Sequence, residues 1–130
     1  GLPESHFLYA GQVKADRVPM YLAAFDIGVL PLPFTMHFAY YASPIKLFEY
    51  MASGCAVVAS DLPSIREVIS DGETGLLAPP SDTQAFSLAI NRLKDDPALR
   101  ENLAENARQL VFEHYTWSAR AAAILSVLLA

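Results

Sequence analysis

The sequence has 130 residues, 53% apolar and 18% charged, with a net charge of −5. That length allows one compact domain with a sizeable core, and the apolar content excludes a disordered chain. The acidic balance excludes a general nucleic-acid binder, which needs a basic face to displace phosphate counterions.

The N-terminal stretch GLPESHFLYAG lacks a basic region before an apolar run, so it does not read as a signal peptide. A first residue of Gly rather than Met sets the expectation of a piece of a longer chain. His6–Ala10 is predicted as a short strand ending at Gly11. Asp16–Phe25 reads as an amphipathic helix, with Val18, Tyr21, Leu22 and Phe25 at helical spacing. Asp26–Leu30 is an apolar run without polar alternation, stopped by Pro31 and Pro33, which suits a strand covered on both faces. Phe34–Ala42 is an aromatic-rich loop.

Ser43 is expected to cap a helix with Pro44 at its first position, running to Ser53 and closed by Gly54. Cys55–Ala59 is a further buried strand, and the lone Cys55 fits a small core residue in a reducing, cytoplasmic setting. Pro63–Ile69 is a short helix, Asp71-Gly72 a turn, and Gly75–Ala78 a fourth strand ended by Pro79-Pro80. Asp82–Lys94 is a helix capped by Ser81; Pro97 opens another to about Phe112; Thr116 caps the last. Tyr115 and Trp117 are expected to pack that last helix onto the sheet. Its apolar run, Ala119–Ala130, is shorter than the ~20 residues of a membrane span. Strands alternating with helical segments indicate parallel βαβ units: an α/β fold, a Rossmann-like, doubly wound parallel sheet of about four strands with flanking helices.

Charge is unevenly placed. Between Val18 and Ile65 only Asp26, Lys46, Glu49 and Asp61 are charged, so this stretch reads as buried or site-lining. Asn91–Glu113 is rich in both signs and reads as solvated helices. Lys46 falls at the third position of its predicted helix, where the positive end of the helix dipole disfavours a cation. A lysine placed there suits an incoming anion, and a helix start at the carboxyl end of a parallel strand is a phosphate site. Glu49, three residues on, shares its face and could accept hydrogen bonds from ribose hydroxyls. The spacing fits equally an exposed i,i+3 ion pair. Ser60, Asp61 and Ser64 follow a strand at its carboxyl end; they fit a site lining or an ordinary helix start. His6, His37 and His114 are widely spaced, so no metal site is expected.

The segment SPIKLFEYMASGCAVVASDLPSIREVISDGETGLLAPPSD resembles the C-terminal, donor-binding domain of the group 1 retaining glycosyltransferases with the GT-B fold. Upstream, FLYAGQVKADRVPMYLAAFDIGVLP resembles that family's strand–helix–strand; downstream, HYTWSARAAAIL resembles its C-terminal helix. Ala56 stands where the family usually has Pro.

The resemblance implies a nucleoside-diphosphate sugar as donor, metal-independent transfer and no cofactor. Glu49 matches the second glutamate of the family's E-x7-E motif, which bonds the nucleotide ribose. The first would fall at Tyr41, which has no carboxylate. Ser43, Pro44, Ile45 and Lys46 match the segment whose amides meet the diphosphate, and Leu47 would pack beside the nucleotide. The Phe34–Ala42 loop would approach the donor sugar, or form an aromatic lid on the core.

The family's basic pair on the pyrophosphate, its first strand–helix–strand and its acceptor domain would precede Gly1. The chain alone is therefore expected to be inactive, as a single partial domain over residues 1–130. In a 3-2-1-4-5-6 sheet, His6–Ala10 would be strand 3 and Asp26–Leu30 strand 4, with the strands between them missing. The open edge predicts a homodimer or larger homo-oligomer, or a rearranged sheet. The acceptor is left unidentified, and peripheral membrane association of a full-length enzyme stays open. A non-catalytic, oligomerising α/β module and a GT-B nucleotide-sugar epimerase fragment are the alternatives.

Overall fold

The computed structural model describes residues 3–129. Its centre is a parallel sheet of β1 (Ile27–Leu30), β2 (Ala56–Ser60) and β3 (Leu76–Ala78), in the order β1-β2-β3. Ile27 lies opposite Ala56 and Leu30 opposite Ala59; Val58 lies opposite Leu76. The helices are α1 (Val18–Leu22), α2 (Ile45–Ser53), α3 (Pro63–Arg66), α4 (Thr83–Asp95), α5 (Pro97–His114) and α6 (Trp117–Leu128). The α/β class and the parallel sheet hold, with three strands rather than four among the described residues.

The missing strand is His6–Ala10. Glu4–His6 forms a short 3-10 turn, and Phe7–Ala10 has no regular structure. Leu8 and Tyr9 are 95% and 93% exposed. An extended segment gains its ladder bonds and burial only beside another strand, and this one lies against none. Among the described residues β1 has one strand neighbour, β2, and its other edge is unpaired.

Strand β2 is central and every one of its residues is buried. Period-two alternation sends its side chains to two cores. Val57 and Ala59 pack with Leu47 and Met51 of α2 and Ala107 and Val111 of α5. Ala56 and Val58 pack with Leu76, with Phe86 and Leu93 of α4, and with Leu103 and Ala104 of α5. Cys55 is buried just before β2, and burial pushes its thiol pKa up, which suits a core residue.

Helix ends follow local chemistry. Gly54 takes φ +78, the left-handed conformation that ends α2, as expected. Thr116 caps α6 by accepting from the Ala119 amide at 3.1 Å. The cap of α4 is Asp82, not Ser81: its carboxylate accepts from the Ala85 amide at 2.9 Å. Ser81 has φ +64, outside the extended region that a cap needs. The helix predicted over Asp16–Phe25 is reduced to a 3-10 turn and the five residues of α1. Leu22 is its one buried side chain, too little packing to hold a longer helix. Tyr115 is half-buried, with its ring 5.2 Å from Phe48 and its hydroxyl donating to the Glu67 carbonyl. Trp117 is 92% exposed, because α6 leaves the body and buries none of its residues.

Gly28 of β1 sits under the ring of Tyr50 on α2; a Cβ there would lie 2.6 Å from Tyr50 Cγ. The Gly28→Ala variant is expected to lose about 1–3 kcal/mol in urea unfolding. Adding Tyr50→Ala should recover part of that loss, and strictly additive losses would contradict the contact.

Candidate functional site at the carboxyl end of the sheet

All three strands run parallel, so the segments that leave them gather at one end of the sheet. β1 ends at Leu30 and leads through Pro31–Pro44 into α2; β2 ends at Ser60 and leads into α3; β3 ends at Ala78 and leads into α4. Backbone amides in the first turn of a helix have no intrahelical acceptor, so helix starts here carry partial positive charge.

Helix α2 starts one residue later than expected. Pro44 occupies the cap position with ψ 111, and no side chain caps the helix. Pro44 itself keeps extended backbone, so the first helical residue is Ile45 and Ser43 falls one position outside the cap. Ser43 is exposed, and Lys46 is the second helical residue, not the third. The Leu47 amide donates to the Pro44 carbonyl at 3.0 Å, closing the first turn.

Lys46 Nζ lies 3.5 Å from Glu49 Oε2, with the side chains 50% and 36% exposed. An exposed i,i+3 pair of this kind contributes no more than about 0.5 kcal/mol, so either partner exchanges readily with a ligand. Leu47 is fully buried with Met51; its side chain braces the turn from beneath and reaches no open surface. Ile45 is 74% exposed, whereas Phe48 and Ala52 further along the helix pack against the core. Tyr41 is 76% exposed, at the end of a π-helical turn, His37–Tyr41, where the sequence reads only as a loop. Ser43, Lys46 and Glu49 thus share the start of α2, with Tyr41 just upstream. Tyr50, one residue past Glu49, has its phenol pushed up chiefly by burial, an effect that Lys46 opposes.

The end of β2 carries features that sequence spacing does not announce. Arg66 grips Asp61 with two nitrogens, Nη2 to Oδ2 at 2.6 Å and Nε to Oδ1. Ser60 donates to the Leu32 carbonyl at 2.6 Å, and Ser64 to the Phe38 carbonyl at 2.6 Å. These contacts join residues 26 to 28 positions apart, beyond any local pattern.

An open groove of about 450 Å³ lies between the end of β1 and α4, lined by Val29, Pro31, Pro33, Phe86, Ile90 and Asn91 among others. It contains none of the predicted site residues and no charged side chain, so it suits an apolar partner better than a diphosphate. Among the described residues, no group of three or more His, Cys, Asp or Glu is placed to hold a metal ion. Among them, too, no helix is long and apolar enough to cross a membrane.

Comparison with known proteins follows the same lines. The family profile described as glycosyl transferases group 1 matches residues 1–96. A phosphatidyl-myo-inositol mannosyltransferase of Mycobacterium tuberculosis is 42% identical over 127 residues, 95% of this chain and 32% of that protein. The C-terminal domain of a group 1 family glycosyl transferase from Francisella tularensis superposes with a TM-score of 0.70 at 28% identity. That match covers 84% of this chain and 53% of that one. Sucrose-phosphate synthase from Thermosynechococcus elongatus superposes with a TM-score of 0.74 at 31% identity, covering 93% of this chain and 29% of that one. The chain spans roughly 30% of the length of the first curated relatives it matches.

The Arg66 guanidinium holds the Asp61 carboxyl below its ordinary 3.8. A carboxyl with a lowered folded pKa adds stability above its unfolded value, and that increment is lost as pH falls through the folded pKa. Asp61→Asn should therefore lower the urea midpoint at about pH 7, and the gap to the parent should shrink as pH falls below the ordinary carboxyl value of 3.8. A gap independent of pH would contradict the pairing.

Proposed function

The chain belongs to the group 1 glycosyl transferases, and from this we propose that it is the nucleotide-sugar-binding half of a donor domain in a retaining enzyme. The observation that carries the proposal is the pairing of Lys46 with half-exposed Glu49 at the start of α2, at the carboxyl end of a parallel sheet. The amides of Ile45 and Lys46, with the Lys46 ammonium, would take the diphosphate. Glu49, released from Lys46, would accept hydrogen bonds from the ribose hydroxyls. Ser43 and Pro44 would line the diphosphate path, and the Tyr41 turn would lie on the sugar side. Transfer would need no metal, because fixed positive groups stabilise the departing nucleoside diphosphate.

The coverage of its relatives supports a place within a longer protein. There the basic residues on the pyrophosphate, the acceptor cleft and the strands beside β1 would be supplied outside these 130 residues. The chain alone would bind nucleotide weakly and transfer nothing. The setting would be cytoplasmic. The unpaired edge of β1 supports association of the isolated chain through that edge, so light scattering should exceed the 14.2 kDa of one chain. A clean monomer would contradict this part.

The donor reading is tested by calorimetric titration of the chain with UDP, GDP and ADP. At least one is expected to bind, and Glu49→Ala to weaken it at least about tenfold, the scale of a hydrogen bond to a charged group. Equal binding by parent and variant would leave Glu49 with only its ion pair.

A further inference from the structure

The path from β1 to α2 is a long segment, Pro31–Pro44, and two hydroxyls, Ser60 at the end of β2 and Ser64 in α3, hold it. Ser60 is fully buried, and its bond to the Leu32 carbonyl anchors the segment where it leaves the sheet. Ser64 is half-buried, and its bond to the Phe38 carbonyl holds the π-helical turn His37–Tyr41. The other polar contacts of that turn are local: Phe38 N–H to Thr35 Oγ1 at 3.1 Å, Ala39 N–H to the Thr35 carbonyl at 2.8 Å, and Ala42 N–H to the His37 carbonyl at 2.9 Å.

Local bonds fix the shape of a turn but not its orientation on the body. That orientation decides which side chains face outward. Ala39 is fully buried and Phe38 packs against the core, whereas Tyr40 and Tyr41 are 56% and 76% exposed. A carbonyl near the end of a one-turn helix also lacks an acceptor's usual partner, and the Ser64 hydroxyl supplies one.

We propose that Ser64 is a positioning residue: through the Phe38 carbonyl it sets the turn that presents Tyr40 and Tyr41 beside the start of α2. It thereby governs affinity for a sugar-bearing nucleotide over the bare nucleotide. The inference rests on the donor reading, because it assigns the sugar side of that site. The bare diphosphate engages α2 itself, whose start is held by its own helix and by Leu47 in the core. The sugar lies beyond it, where flat aromatic faces can stack on apolar ring faces.

The test pairs each nucleotide with its sugar ester: UDP with UDP-glucose, GDP with GDP-mannose, ADP with ADP-glucose. Ser64→Ala is expected to keep affinity for the bare nucleotide within about twofold of the parent. It should weaken the matching nucleotide sugar about three- to tenfold, the scale of one neutral hydrogen bond. Ser64→Thr, which keeps a hydroxyl, should restore it. Should Ser64→Ala fail to fold, the near-isosteric pair Ser64→Thr and Ser64→Val makes the same comparison. An equal loss for both ligands, or no loss for either, would overturn the role of Ser64 and leave the donor site intact. Binding of no nucleotide by the parent would overturn the donor reading, and this inference with it.

Discussion

Strands β1 and β2 run parallel, so the chain must travel back the length of the sheet between them, and a tight turn cannot make that journey. Helix α2 is the return path. The direction of the strands then dictates that α2 begins at the carboxyl end of the sheet, with its free amides facing outward. Lys46 and Glu49 sit at that start, in a region with almost no other charge. Tyr50 over Gly28 and Leu47 and Met51 in the core lock the helix to the strands, so the polar groups are carried on a packed element rather than a loose one.

The same parallel geometry explains which surfaces stay uncovered. A parallel sheet needs both of its faces covered. Here β2 meets that condition on both faces, with α2 and the latter half of α5 on one side and α4 with the earlier part of α5 on the other. Among the described residues β1 and β3 each keep one edge without a strand neighbour, and between the end of β1 and α4 lies the apolar groove of Val29, Pro31, Phe86 and Ile90. Helix α6 buries nothing, and Ile124, Leu125, Val127 and Leu128 are all more than half exposed. The high apolar fraction of the sequence is thus only partly spent on a core. The remainder lies on the exposed surface.

Most of the fold is legible in the sequence because most of it is local. The apolar runs give β1 and β2, Gly54 and Thr116 end or begin helices through their own geometry, and the alternation of strands and helices gives the parallel sheet. The failures are of two kinds. Some are competitions between neighbours: Pro44 displaces Ser43 from the cap of α2, and the carboxylate of Asp82 displaces the hydroxyl of Ser81 at α4. Others depend on what lies opposite. His6–Ala10 has strand composition but no strand beside it, and Trp117 has bulk to bury but no surface to bury it on. For the candidate site, Lys46 and Glu49 are visible from spacing. The bonds that hold the segment leading into α2 are not, because Ser64 reaches Phe38 and Ser60 reaches Leu32 across long intervals of chain.

We propose that the start of α2, and not the apolar groove beside α4, receives the nucleotide. Amide chemical-shift mapping of the labelled chain during titration with UDP, GDP or ADP tests it most directly. The account predicts that the amides of Ile45, Lys46 and Glu49 move first and furthest, with the Ser43 amide following. Shifts confined to Val29, Phe86, Ile90 and Asn91, with α2 silent, would contradict it.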